Sequence, residues 1–228
     1  MNITARLMKL DPTLALHDEG AWDKPVTNGP GFKSFNDAGI EAETGEFLYS
    51  MVRILKPRRA LETGTHVGVG AAYMGLALLD NGNGDKLHTI EFLKPNFDEA
   101  LGRFGRLGLH NIIESYLMDV KDFEPGTATY GLILLDTEPQ TRFAELIKFY
   151  DYLEPGGFVF IHDLHRHMAQ VQETHPDHPE TPYWPWGSVP KEIKQMVKED
   201  KLRPFHFSTP RGLTGFYKPH PEDYNFTK

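Results

Sequence analysis

The chain contains no cysteine, which excludes disulfides, thiolate-bound zinc and a cysteine nucleophile together. It also lacks any run of about 20 apolar residues, so no membrane span is expected. Met1-Asn2-Ile3-Thr4-Ala5-Arg6 has no apolar core of a secretory signal, which makes the cytoplasm the expected location. A basic excess is missing too: the net charge is -8, from 32 acidic and 24 basic residues. Phosphate backbones need a basic face, so nucleic acid is not an expected partner. Neither an internal repeat nor a low-complexity tract is present. What the chain does have is 228 residues with 39% apolar content, enough for one domain of ordinary size with a real core. The expected partner is a small molecule.

In the middle of the chain, short apolar runs alternate with helical patterns, which predicts an α/β fold with a mostly parallel sheet and helices on both faces. Arg59 to Thr63 reads as a strand, followed by a helix from about Val69 to Leu79. Lys86 to Ile90 is a strand ending at Glu91, and Pro95 opens a helix that runs to about Leu107. A strand from Asn111 to Tyr116 ends near Asp119. The wholly apolar stretch before Asp136, Tyr130 to Leu135, reads as a strand buried on both faces. A helix from about Gln140 to Leu153 leads into a turn at Glu154-Pro155-Gly156-Gly157 and a strand ending at His162-Asp163. Residues 164–188 are rich in His, Pro and Trp without any period, and read as a lid-like insertion. A helix from about Val189 to Lys198 and an antiparallel pair, Leu202–Phe207 with Gly212–Tyr217, close the chain. Ahead of the core, Glu41 to Leu55 is an amphipathic helix, residues 1–39 form a less ordered arm, and residues 40–228 form the main domain. Phe104, Leu134 and Phe160 are core candidates; Asp80, Glu124 and Asp151 read as surface charges.

The stretch richest in chemical content is Ala60-Leu61-Glu62-Thr63-Gly64-Thr65-His66-Val67-Gly68-Val69-Gly70-Ala71-Ala72. It reads as a strand, a glycine turn and a helix N-terminus whose amides face a ligand. Such a turn serves many nucleotide cofactors. Glu91, at the end of the next strand, is placed to accept both hydroxyls of a ribose, and Asp119 to accept an adenine amino group. Both features suit NAD and S-adenosylmethionine (SAM) alike. Glu62 separates them, because a carboxylate there repels a pyrophosphate yet suits the ammonium of an amino-acid-bearing cofactor. An NAD-dependent oxidoreductase is the rival reading.

Together with Thr44-Gly45-Glu46-Phe47-Leu48, with Leu132-Ile133-Leu134-Leu135-Asp136, Leu153-Glu154-Pro155-Gly156-Gly157 and Ile161-His162-Asp163, and with Pro210-Arg211-Gly212-Leu213-Thr214-Gly215-Phe216, this stretch resembles the small-molecule SAM-dependent O-methyltransferases. The caffeoyl-CoA and catechol O-methyltransferases, with related bacterial enzymes, are the nearest groups, and the likeness covers about residues 40 to 218. It implies a Rossmann-like class I methyltransferase fold whose seven-stranded sheet carries an antiparallel last strand. It also implies a cofactor site of Glu62, Gly64, Thr65, His66, Gly68, Gly70, Glu91, Asp119 and Asp136. Gly70 replaces a serine common in the family, so only its backbone amide is available. Homodimers are common among such relatives, and the arm is a candidate for that contact.

Methyl transfer needs an aligned, electron-rich acceptor oxygen, and a base or a metal helps to make one. In metal-dependent relatives, acids at two strand ends hold a divalent cation, and Asp136 and Asp163 match them. The third ligand there is often Asn, whereas this chain has Leu164. His162 can stand in, giving Asp136, His162 and Asp163, a mixed set that suits manganese, iron or zinc better than magnesium. Alternatively no metal binds and His162 is the general base. The catalytic candidates are thus Asp136, His162 and Asp163. His165, His167, His175 and His178 read as a solvated loop. Tyr183-Trp184-Pro185-Trp186 reads as loop packing or as the wall of an acceptor pocket, and His66 has its backbone on the cofactor. A methyltransferase-like fold with other chemistry, or one that only senses SAM, stays open.

Overall fold

The computed structural model describes residues 2–19, 32–35, 39–164, 189–207, 209 and 211–223. Its main sheet contains β3 (Arg59–Thr63), β4 (Lys86–Glu91), β5 (Ile113–Leu117), β6 (Tyr130–Leu135), β7 (Leu153–His162), β8 (Arg203–Phe207) and β9 (Leu213–Tyr217), in the order β5-β4-β3-β6-β7-β9-β8. β3 to β7 run parallel, while β9 lies antiparallel to both β7 and β8. This is the expected mostly parallel sheet with an antiparallel last strand. The order reverses between β3 and β6, and ligands of open α/β sheets bind at such a switch point.

Alternation along the strands feeds two cores. Ala60, Leu132, Leu134 and Phe160 face one side, where they pack with α1 (Ile3–Leu10), α2 (Ala42–Leu55), α3 (Val69–Asn81) and α4 (Lys94–Arg106). Leu61, Ile133, Leu135 and Ile161 face the other, against α5 (Arg142–Phe149) and α6 (Lys191–Lys198). β6 is buried along its whole length, as a strand covered on both faces must be. The core candidates Phe104, Leu134 and Phe160 are all buried.

Several boundaries differ from the sequence reading, each for a local reason. The first residues are not irregular: Asn2 caps α1, Leu7 is buried, and Thr4 bonds the Tyr73 hydroxyl at 2.7 Å. Asp11, fully buried, anchors the end of α1 to Arg103 and Arg106 of α4. A short antiparallel pair, β1 (His17–Glu19) with β2 (Phe32–Ser34), follows. The helix expected to reach Leu153 ends at Phe149 and tightens into a 3-10 turn over Tyr150–Tyr152. The Glu154-Pro155-Gly156-Gly157 turn is instead a bulge within β7, since Tyr130 pairs with Leu153 and Leu132 with Phe158. Asp80 is no free surface charge; it binds Arg6 and accepts the Tyr49 hydroxyl at 2.7 Å.

Candidate functional site

The carboxyl ends of β3, β4 and β6 open onto a cavity of about 600 Å³. Of the residues predicted to bind a cofactor, Gly64, His66, Glu91, Asp119 and Asp136 line it, whereas Glu62, Thr65, Gly68 and Gly70 do not. The glycines answer first to the protein's own packing. Gly64 has φ +79°, and a Cβ there would drive into the backbone carbonyl of Asp136. Any side chain would separate the β3 and β6 loops that must touch. A Cβ on Gly70 would collide with the Glu62 carboxylate, and one on Gly68 would lie 2.8 Å from the Phe104 ring.

Glu62 accordingly has a different position from the one expected. It is buried, accepts the Thr89 hydroxyl at 2.5 Å and the backbone N–H of Ala71, and so caps the first turn of α3. Thr89 in turn shares a 2.5 Å hydrogen bond with Thr65. Burial pushes the Glu62 carboxyl well above the usual range, outweighing the Thr89 bond. In this structure the residue supports the glycine turn from beneath and has no face on the cavity.

Glu91 does reach the cavity, and it also braces the rim. One carboxylate oxygen accepts the His66 N–H at 2.7 Å and the other accepts the Leu93 N–H at 2.8 Å. Beside it, Phe92 and Leu93 are exposed and line the same wall. Asp119 caps the short 3-10 turn Val120–Asp122 and pairs with Lys121, and these contacts hold its carboxyl below the usual range. His66 lines the cavity, and the buried Nδ1 of its ring has no hydrogen-bond partner among the described residues.

At the ends of β6 and β7, Asp136, His162 and Asp163 come together, with ligand atoms all within 4.8 Å of one another. The structure adds partners that sequence reasoning missed. His162 is buried between two carboxylates: its Nε2 lies 2.6 Å from Glu41 and its Nδ1 2.9 Å from Asp136. Burial alone would lower its pKa, but Asp136, Asp163 and Glu41 raise it to about 10. Glu41, despite its own burial, is held below the ordinary carboxylate range by His162 and Arg211. Arg142 places Nη2 3.2 Å from Asp136 and 3.4 Å from Asp163. Arg211 sets Nε and Nη2 at 2.8 and 2.9 Å from the two oxygens of Asp163. Asp163 itself has φ +53°, a left-handed conformation that Asp tolerates better than most residues.

The general-base role read for His162 is therefore corrected. The ring is buried, both nitrogens face carboxylates, it is protonated at neutral pH, and it does not line the cavity. Asp136 and Asp163 do line it, with Arg142 and Arg211. A further missed residue is Glu145, buried on the cavity wall, which accepts hydroxyl hydrogens from Thr63 at 2.7 Å, Thr141 at 3.0 Å, and Thr137. One sequence signal pointed toward such partners: buried carboxylates require cations or donors, and Arg142 follows the Leu132–Asp136 stretch while Arg211 lies within the Pro210–Phe216 stretch. Leu164 packs in the core and its carbonyl accepts the Thr214 hydroxyl at 3.0 Å, so it offers nothing to a ligand. The four loop histidines and Tyr183-Trp184-Pro185-Trp186 lie outside the described residues.

Comparison with known proteins agrees with this geometry. Residues 61–164 match the family described as a methyltransferase domain. No curated protein matches the chain in sequence. Among solved structures, the O-methyltransferase TomG from Streptomyces achromogenes, in complex with SAM, is similar with a TM-score of 0.65 and 19% identity, over 95% of this chain and 96% of that one. The methyltransferase PaMTH1 from Podospora anserina, bound to S-adenosylhomocysteine (SAH), gives 0.64 and 17% over 95% and 93%. An O-methyltransferase from Bacillus cereus in complex with SAH gives 0.62 and 15% over 80% and 84%. At these identities the likeness establishes the fold, that of the class I methyltransferases.

Proposed function

We propose that this chain, a methyltransferase domain set in a class I methyltransferase fold, transfers a methyl group from SAM to an oxygen of a small-molecule acceptor. The observation that carries the reading is the cavity at the switch point, with Gly64, Glu91, Asp119 and Asp136 on its wall. The donor set suits SAM. Glu91 keeps carboxylate lone pairs beside its two backbone bonds for ribose hydroxyls, Asp119 offers an acceptor for an adenine amino group, and Phe92 with Leu93 offers apolar surface. Glu62, Thr65, Gly68 and Gly70 serve the same site indirectly by shaping the turn. Bound there, SAM supplies an electrophilic methyl group on a sulfonium.

The chain's own residues orient the acceptor. Asp136 faces the cavity, and His162 and Arg142 both bond to its Oδ1, which fixes the carboxylate in one orientation. A hydroxyl of the acceptor donates to Asp136, which takes its proton as the oxygen becomes nucleophilic. Asp163 acts one step back, holding Arg211 and Arg142. The oxygen preference draws on the neighbours named as O-methyltransferases.

The same reading takes residues 1–39 as an arm and 40–228 as the SAM-binding domain; the lid-like insertion expected over 164–188 lies, beyond Leu164, outside the described residues. It places the protein in the cytoplasm as a homodimer that does not act on nucleic acid, consistent with its net charge of -8. None of the described helices is long and apolar enough to cross a membrane. Calorimetry tests the proposal: SAM is expected to bind at micromolar levels and NAD not at all. Binding of NAD alone would establish the oxidoreductase reading instead. SAM binding without methyl transfer to any of a panel of phenols, catechols and other hydroxyl compounds would point to a sensor.

A further inference from the structure

A divalent cation at the ends of β6 and β7 would need several open ligands, and two of the three candidates there, His162 and Asp163, already face partners. Both ring nitrogens of His162 face carboxylates, Glu41 at 2.6 Å and Asp136 at 2.9 Å, so neither is open toward a metal. Both oxygens of Asp163 lie against Arg211, at 2.8 and 2.9 Å. Arg142 lies 3.2 Å from Asp136 and 3.4 Å from Asp163. The position where the resemblance leads one to expect a third ligand, often Asn, is taken by Leu164, which is buried in the core.

Neither guanidinium is a loose surface group. Arg142 is buried and donates through Nε to the Thr137 carbonyl at 2.8 Å and through Nη1 to the His162 carbonyl. Arg211 donates through Nη1 to the Gly39 carbonyl at 2.6 Å, and its backbone N–H reaches Glu41 at 3.2 Å. Both guanidiniums are thus fixed from behind while the Nη2 of each meets the acids, a use of the planar fork that Lys cannot reproduce. The two arginines already bring fixed positive charge to Asp136 and Asp163.

We propose that Arg142 and Arg211 occupy the electrostatic role of a metal ion, so that this site takes no divalent cation and meets the developing negative charge of the acceptor oxygen with guanidinium N–H groups. The inference rests on the methyl-transfer reading above. Both arginines line the same cavity as Asp136, so the oxygen that gives its proton to Asp136 does so in a cavity with two fixed cations on its wall.

The test is calorimetric titration of Mn²⁺ and Mg²⁺ into the full-length, chelator-stripped protein, with SAM titrated into the same preparation. No metal binding up to millimolar concentrations, together with methyl transfer unchanged by EDTA, is the expected result. One Mn²⁺ bound per chain at micromolar level, or activity restored only by added metal, overturns the proposal. Failure of SAM to bind strikes at the methyltransferase reading instead, and leaves the metal titration to speak for itself. Arg142→Gln is expected to lower the methyl-transfer rate at least 100-fold with no rescue by Mn²⁺, and full activity in that variant would also overturn the assignment. Because the wild-type titration needs no substitution, the proposal remains exposed even if the variant fails to fold.

Discussion

At the ends of β3 and β4 the cavity rim is made largely of backbone, held by carboxylates that accept N–H groups: Glu62 from Ala71, and Glu91 from His66 and Leu93. At the ends of β6 and β7 it is made of side chains, with acids and cations interleaved and the arginines tied to carbonyls. The first region is written within a short stretch around one glycine turn. The second draws on Glu41, Asp136, Arg142, His162, Asp163 and Arg211, from four separate parts of the chain. The contrast fits the tasks proposed for each side. On that proposal, a cofactor common to many proteins is held by a local backbone device, while the reacting oxygen is handled by groups whose charge and position can be tuned one by one.

Substitutions can show whether the two regions are as separable as they look. The largest effect is expected from Asp136→Asn, which keeps the shape and removes the proton acceptor. Methyl transfer should fall by about 10²–10⁴-fold, with SAM affinity changing far less in a calorimetric titration. Equal losses in both would mean that Asp136 belongs chiefly to the cofactor side. Next is Glu41→Ala, which leaves the buried His162 short of one of its carboxylates. Breaking a buried pair of this kind costs about 3–5 kcal/mol, measurable as a lower denaturant midpoint. An unchanged midpoint would show that the cluster tolerates an open end.

Glu91→Ala should act on the other side alone. A loss of roughly tenfold in SAM affinity, equivalent to about 1.4 kcal/mol, is expected without a change in how the acceptor's KM responds to pH. Proton titration gives a fourth, smaller effect. The His162 pKa is raised from 6.5 to about 10 in the fold, so the stability it contributes is complete below about pH 6.5 and is lost as pH rises through about 10. Tm should therefore decline between pH 7 and 10, and His162→Gln should flatten that decline. A parallel decline in the variant would assign the effect to other groups. Smallest of all, Asp119→Asn, on a carboxyl open to solvent, is expected to weaken SAM binding only a few-fold.

Much of the architecture could be read from residue patterns because period-two alternation and glycine punctuation are local signals. The all-apolar run Tyr130–Leu135 is buried along its length, and the closing pair of strands lies antiparallel as expected. Boundaries failed where tertiary contacts overrode local signs, as at Glu154–Gly157, where a turn-like sequence is a bulge paired across to β6. At the site, the glycine turn showed where a ligand approaches but not why the glycines are needed, since their crowding neighbours, Asp136, Phe104 and Glu62, are set by the fold. The acids were visible at the strand ends. Their partners were not, because pairing across 48 residues between Asp163 and Arg211, or across 121 between His162 and Glu41, leaves no periodic trace.

Glu41 and Arg211 meet across 170 residues of chain. Contacts of such sequence separation form late and slowly, since a long loop must close before they reward it. During synthesis the glycine turn and its strands emerge well before Arg211 does, so a partly made chain can fold the nucleotide side while Asp163 still lacks one of its two guanidinium partners. Asp163 gains that partner only once the chain has been made past β8.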